Sequence, residues 1–122
     1  MPPKRDPETH LPLTPALFHV LVTLADGDKH GYAILRDVEQ RTAGEVLLST
    51  GTLYGIIKRL LADGLIGEVR TRPAASVDDQ RRRYYRLTPF GRQVALAETA
   101  RLERASAMAR ATRGLRLGGV KA

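Results

Sequence analysis

The chain has 122 residues, no cysteine, and 20 Lys and Arg against 13 Asp and Glu, a formal net charge of +7. That length suits one domain with a buried core. The missing cysteine removes disulfides, thiolate metal sites and cysteine nucleophiles, and no apolar run is long enough to span a membrane. The basic balance favours an anionic partner, of which nucleic acid is the commonest. The opening Met1-Pro2-Pro3-Lys4-Arg5-Asp6-Pro7 places prolines and charges where a signal peptide needs an apolar segment. A cytoplasmic protein without a membrane partner is therefore expected.

Residues 1–12 are proline-rich and polar and read as a flexible N-terminal arm. Thr14 followed by Pro15 is an N-cap with proline at the first helical position. Leu17, Val20, Leu21 and Leu24 then give the stripe of a first helix, which Asp26-Gly27-Asp28 ends in a turn. A second helix is expected from about Gly31, with Tyr32, Leu35 and Val38 inward and Arg36, Asp37, Glu39 and Gln40 outward. It stops near Ala43-Gly44, where glycine suits the left-handed C-terminal cap.

A third helix is capped by Ser49, or by Thr50 if the boundary slips by one residue, and closes at Asp63-Gly64. Its apolar residues Leu53, Ile56, Ile57, Leu60 and Leu61 form one buried stripe. Beyond Gly64 the period changes. Leu65 to Arg72 reads as a strand that Pro73 interrupts, residues 73–80 read as a loop, and the alternation of Arg83, Tyr85 and Leu87 with Arg82, Tyr84 and Arg86 marks a second strand. Thr88-Pro89 repeats the cap-plus-proline signal and opens a last helix through about Arg113. Residues 114–122, with three glycines, read as a flexible tail.

Three helices, a hairpin and a long helix make a mainly α protein with a small β-hairpin. This is a winged helix-turn-helix over residues 13–88 plus a long C-terminal dimerisation helix over residues 89–113. The third helix supplies the groove-reading face. Gly51 and Gly55 remove bulk from its front, Ser49, Thr50 and Thr52 offer hydroxyls to phosphates or base edges, and the helix N-terminus favours anions. A plain helix cap is the alternative role for Ser49 and Thr52. Tyr54 is either a core aromatic or a phosphate and sugar contact. It lies off the apolar stripe, which favours exposure. Lys58 ranks above Arg59 as a contact because it lies nearer the helix start. In the hairpin, Arg81, Arg82 and Arg83 beside the loop are the best candidates for phosphate or minor-groove contact.

In the last helix, Phe90 and Val94 lie near one side, with Leu96, Leu102 and Met108 elsewhere. A helix this long exceeds what so small a core can cover, so these five are the expected dimer contacts; a solvated helix lying on its own domain is the alternative. A twofold dimer would set two recognition helices roughly 34 Å apart, matching successive major grooves of a palindromic site in double-stranded DNA.

Three stretches also resemble the PadR family of bacterial transcriptional regulators: His30-Gly31-Tyr32-Ala33-Ile34, Ser49-Thr50-Gly51-Thr52-Leu53-Tyr54, and Tyr84-Tyr85-Arg86-Leu87-Thr88-Pro89-Phe90-Gly91. The resemblance covers about Leu13 to Arg113. It implies a winged-helix homodimer that binds operator DNA, usually as a repressor released by a small-molecule effector. By motif match it implies DNA contacts at Ser49, Thr50, Gly51, Thr52 and Tyr54, with Lys58 extending that surface and the arginines near Arg82 at the wing tip. The single C-terminal helix matches the short branch of the family. The 73–80 loop lacks the glycine turn that many relatives have. The chain also has no Trp, which some multidrug-binding relatives use to sandwich flat ligands, so no effector class is assigned.

Other classes fit less well. His10, His19 and His30 lack metal-ligand spacing and no glycine-rich phosphate loop precedes a helix, so neither catalysis nor a metal or cofactor is expected. A winged helix used for protein or RNA binding is the alternative. A protein-binding surface would show apolar groups on the third helix, and RNA would call for several stacking aromatics.

Overall fold

The computed structural model describes residues 5–69 and 83–115. In chain order it contains a 3-10 turn (Pro7–His10), α1 (Pro15–Ala25), β1 (Lys29–His30), α2 (Gly31–Arg41), α3 (Thr50–Ala62), β2 (Ile66–Val69), β3 (Tyr84–Leu87), α4 (Pro89–Ala111) and a closing 3-10 turn (Arg113–Leu115). Each long helix begins where a side chain can satisfy an orphan N–H of its first turn. Thr14, Ser49 and Thr88 accept from the N–H groups of Leu17, Thr52 and Gly91. The cap of α2 is a histidine, with His30 Nδ1 accepting from Ala33 N–H at 3.2 Å. After α2, Ala43 and Gly44 both take positive φ, 51° and 81°, and turn the chain toward α3.

The sheet is antiparallel in the order β1-β3-β2, with Ile66 opposite Leu87, Val69 opposite Tyr84, and Lys29 opposite Tyr85. The expected two-stranded hairpin thus gains β1 on its free side. Two residues are too few to show a period, so this strand left no mark in the sequence pattern.

One core holds the molecule together. Leu17, Val20, Leu21 and Leu24 of α1 meet Ile34 and Val38 of α2, Leu53, Ile57 and Leu60 of α3, and Leu65, Ile66, Tyr85, Val94 and Ala95. At about 1.5–3 kcal/mol for each buried aliphatic side chain, this cluster dominates the favourable side of folding.

The joint between wing and α4 is built by Thr88. Its hydroxyl donates to the Gly64 and Leu65 carbonyls at 2.7 and 3.0 Å, and its N–H bonds the Leu65 carbonyl at 3.1 Å. Gly91 follows on the same surface, where a Cβ would lie 1.9 Å from the Leu65 carbonyl oxygen. The Thr-Pro-Phe-Gly stretch is therefore a clamp that seats α4 against the end of α3.

Three expectations are corrected here. The arm expected over residues 1–12 carries structure from Arg5 onward. The guanidinium of Arg5 donates to the Asp63 carbonyl at 2.9 Å and lies 5.0 Å from the Phe90 ring centroid, while His10 meets that ring edge-on. Leu13 N–H then donates to the buried carboxylate of Glu98 at 2.8 Å. Tyr32, expected inward, is 64% exposed, and Ile34 takes the buried place instead. Finally, Val94 is fully buried in the protomer's own core and so is not available as a dimer contact, while Phe90 is partly buried against that core.

Candidate nucleic-acid interface

α3 divides cleanly into two faces. Leu53, Ile57 and Leu60 are buried and Ile56 and Leu61 half-buried, while Ser49, Thr50, Gly51, Thr52, Tyr54, Gly55, Lys58 and Arg59 are exposed. The Ser49 cap is closed on itself, with Thr52 N–H donating to Ser49 Oγ at 3.1 Å and the two hydroxyls 2.9 Å apart. Ser49 is therefore the helix cap and Thr52 the residue whose N–H it satisfies, and both side chains stand at the exposed front. Apart from the adjoining backbone of α3 itself, no atom lies within 4 Å of where a Cβ would stand on Gly51 or Gly55. The absent side chains are not needed for packing. They leave open space in front of the helix.

Tyr54 is half exposed, and its position explains two of the sequence motifs together. Its hydroxyl lies 2.8 Å from where a Cβ on Gly31 would stand, so glycine at the start of α2 makes room for the phenol. Tyr54 thus joins the front of α3 to the start of α2. The signal was present in the His-Gly-Tyr and Thr-Leu-Tyr stretches, but nothing local tied one to the other.

The wing cations divide into two groups. Arg83 is exposed and faces Glu68 at 3.7 Å across the hairpin. Arg86 is committed elsewhere, donating to both oxygens of Asp28 at 2.9 and 3.3 Å and tying β3 to the turn after α1. Arg81 and Arg82, with the 73–80 loop, lie outside the described residues.

A second polar cluster braces α1 against α2. The Thr23 hydroxyl and Arg41 Nε both donate to Asp37, and Arg41 also pairs with Asp26. The Thr23 hydrogen bond, ahead of the Arg41 guanidinium, holds the Asp37 carboxyl below the usual carboxylate range. Lys29 caps the network by donating to the Thr23 carbonyl at 2.5 Å. In α4, the Arg101 guanidinium and the Leu13 N–H likewise hold the carboxyl of Glu98 low.

Of the other residues expected at a dimer contact, Leu96, Leu102 and Met108 are 62%, 42% and 71% exposed. At about 100° per residue they point in three directions about 120° apart. Only Leu102 continues the side of α4 that buries Ala95 and Glu98. With Phe18, Thr99, Ser106 and Ala107 it lines an open groove of about 420 Å³ between α1 and α4. Among the described residues there is no cluster of three His, Asp or Glu that could hold a metal, and no helix is long and apolar enough to cross a membrane.

A three-helix core with a wing, and a half-buried third helix whose outer face is polar and open, define a winged-helix transcriptional regulator. The chain belongs to the PadR-like transcriptional regulator family, whose model matches residues 20–97. It is similar to the transcriptional regulator Rv3488 of Mycobacterium tuberculosis, 39% identical over 84 residues that cover 68% of this chain and 70% of that protein. It is equally similar, 39% over 87 residues and 71% of the chain, to an uncharacterized 37.1 kDa protein in transposon TN4556 of Streptomyces fradiae, of which the match spans only 23%. Among solved structures, a PadR family transcription regulator from Clostridium difficile superposes with a TM-score of 0.66 at 25% identity, over 76% of this chain and 92% of that one.

Proposed function

We propose that this regulator binds a palindromic operator in double-stranded DNA as a homodimer, each protomer presenting the front of α3 to the major groove. The observation that carries the reading is the open front of that helix, where Gly51 and Gly55 face empty space and Thr50, Thr52, Tyr54 and Lys58 stand exposed around them. Ser49 closes the front end, and its cap leaves the helix N-terminus directed at an incoming phosphate. The wing adds phosphate contacts through Arg83 and, by sequence, Arg81 and Arg82.

The α1–α4 groove around Leu102 supports α4 as the dimer helix. A partner helix seated there would cover apolar surface that a monomer leaves wet. With the operator overlapping a promoter, the bound dimer acts as a repressor, and a small-molecule effector releases it.

The test is a gel shift with fragments recovered by selecting genomic DNA on the purified protein. Tyr54→Ala and Lys58→Ala are each expected to weaken binding while circular dichroism and oligomeric state stay unchanged. Undiminished affinity in both variants would remove α3 from the interface.

A further inference from the structure

Beside the exposed front of α3 lies a second surface that the reading above does not use. Lys29, His30, Tyr32, Arg36, Asp37 and Gln40 line an open groove of about 380 Å³ where β1 meets α2. Tyr32 at 64% exposure is one of the most solvent-exposed large apolar side chains of the protein. The Arg36 guanidinium, one helical turn on, lies over this ring with its Cζ 5.8 Å from the ring centroid. Among the described residues Arg36 has no ion-pair partner. The one acid lining the groove, Asp37, is already engaged by Thr23 and Arg41. Lys29, whose ammonium spends one donor on the Thr23 carbonyl, adds a second cation at the groove's edge.

We propose that the Tyr32–Arg36 pair, with Lys29, is a clamp for the phosphate backbone of duplex DNA flanking the segment that α3 reads. The patch is continuous with the α3 front, because Tyr54 packs directly over Gly31, the residue before Tyr32. A duplex seated on Gly51 and Gly55 therefore runs past the start of α2, as the first helix of a helix-turn-helix crosses the backbone. The Tyr32 ring beside it favours a guanidinium held over the exposed side of α2, where its fork of donors can reach a phosphate. The α2 N-terminus adds partial positive charge. Such a contact carries no base information, so it strengthens binding to every sequence alike.

The inference rests on the assignment of α3 as the DNA-facing helix, and the two can fail separately. Fluorescence anisotropy would follow a labelled 40-base-pair duplex of arbitrary sequence, titrated with the full chain across a salt series. Losing one phosphate contact lowers the salt slope by about 0.9, so Arg36→Gln should lose about 3.5-fold less affinity than wild type between 50 and 200 mM salt. Arg36→Lys should restore the slope, and Tyr32→Leu should weaken binding while leaving the slope unchanged. If Lys58→Gln weakens binding but Arg36→Gln has the wild-type slope and affinity, the clamp is wrong and α3 stands. If wild type shows no binding to the duplex at low salt, both assignments fall.

Discussion

The clamp at the start of α4 makes Gly91→Ala a severe substitution despite its size. A Cβ at this position would sit 1.9 Å from the Leu65 carbonyl oxygen, 2.8 Å from its carbon and 2.9 Å from a Leu87 methyl. A carbon–oxygen contact normally stands at roughly 3.3 Å, so α4 must retreat by roughly 1.4 Å. Two of the nearest atoms are backbone, which cannot swing aside. The same oxygen accepts from Thr88 N–H at 3.1 Å and Thr88 Oγ1 at 3.0 Å, bonds that a retreat of that size breaks. Overpacking costs about 1–3 kcal/mol and each lost hydrogen bond about 1 kcal/mol, against a gain of about 1 kcal/mol from alanine's helix propensity. The net loss is about 2–4 kcal/mol, and Tm should fall on the order of 10–20 °C in a domain of this size. Thermal unfolding followed by circular dichroism reads this directly, with Gly51→Ala as the counter-case, since nothing lies near its Cβ position. That variant should hold or raise Tm. A Gly91→Ala protein melting within 3 °C of wild type would refute the packing argument.

Two further predictions concern the buried carboxylate and the dimer. Because the folded pKa of Glu98 is depressed below its ordinary 4.5, its contribution is fully present above that value and is lost as pH falls below it toward the folded pKa. Glu98→Gln should therefore lower stability at pH 7 by about 1–3 kcal/mol and flatten the loss of Tm on acidification below pH ~4.5, with parallel pH–Tm curves counting against the role. Leu102→Glu places a charge in the α1–α4 groove without touching the protomer's core, and should convert the proposed dimer to a folded monomer in sedimentation velocity. An unchanged sedimentation coefficient would move the dimer contact elsewhere.

The helices were legible because their signals are local. Thr14-Pro15, Ser49 and Thr88-Pro89 each put an oxygen beside the N–H three residues on, and the structure uses all three. The apolar stripe of α3 likewise separated its two faces correctly, and Tyr54 fell on the open side. What was hidden depends on contacts distant in sequence. Arg5 reaches the Asp63 carbonyl and Leu13 reaches Glu98, so a segment that looks like a loose arm is tied to α3 and α4. Helical periodicity marks Val94 as apolar-facing but cannot say whether it faces its own core or a second copy, and here it faces its own. Tyr32 shows the converse: its place beside an apolar stripe suggested the core, yet Ile34 fills that position and leaves the ring in solvent.

Whether α3 keeps its front clear for DNA is decided by Gly55→Leu. The position is exposed, with nothing but the adjoining helix backbone within 4 Å of where the Cβ would stand, so the fold should tolerate leucine and gain about 0.5–1 kcal/mol from helix propensity. This variant should show a Tm at or above wild type together with at least tenfold weaker binding to a selected operator duplex by fluorescence anisotropy, a loss of about 1.4 kcal/mol or more. A stably folded Gly55→Leu protein that binds that duplex as tightly as wild type would contradict it.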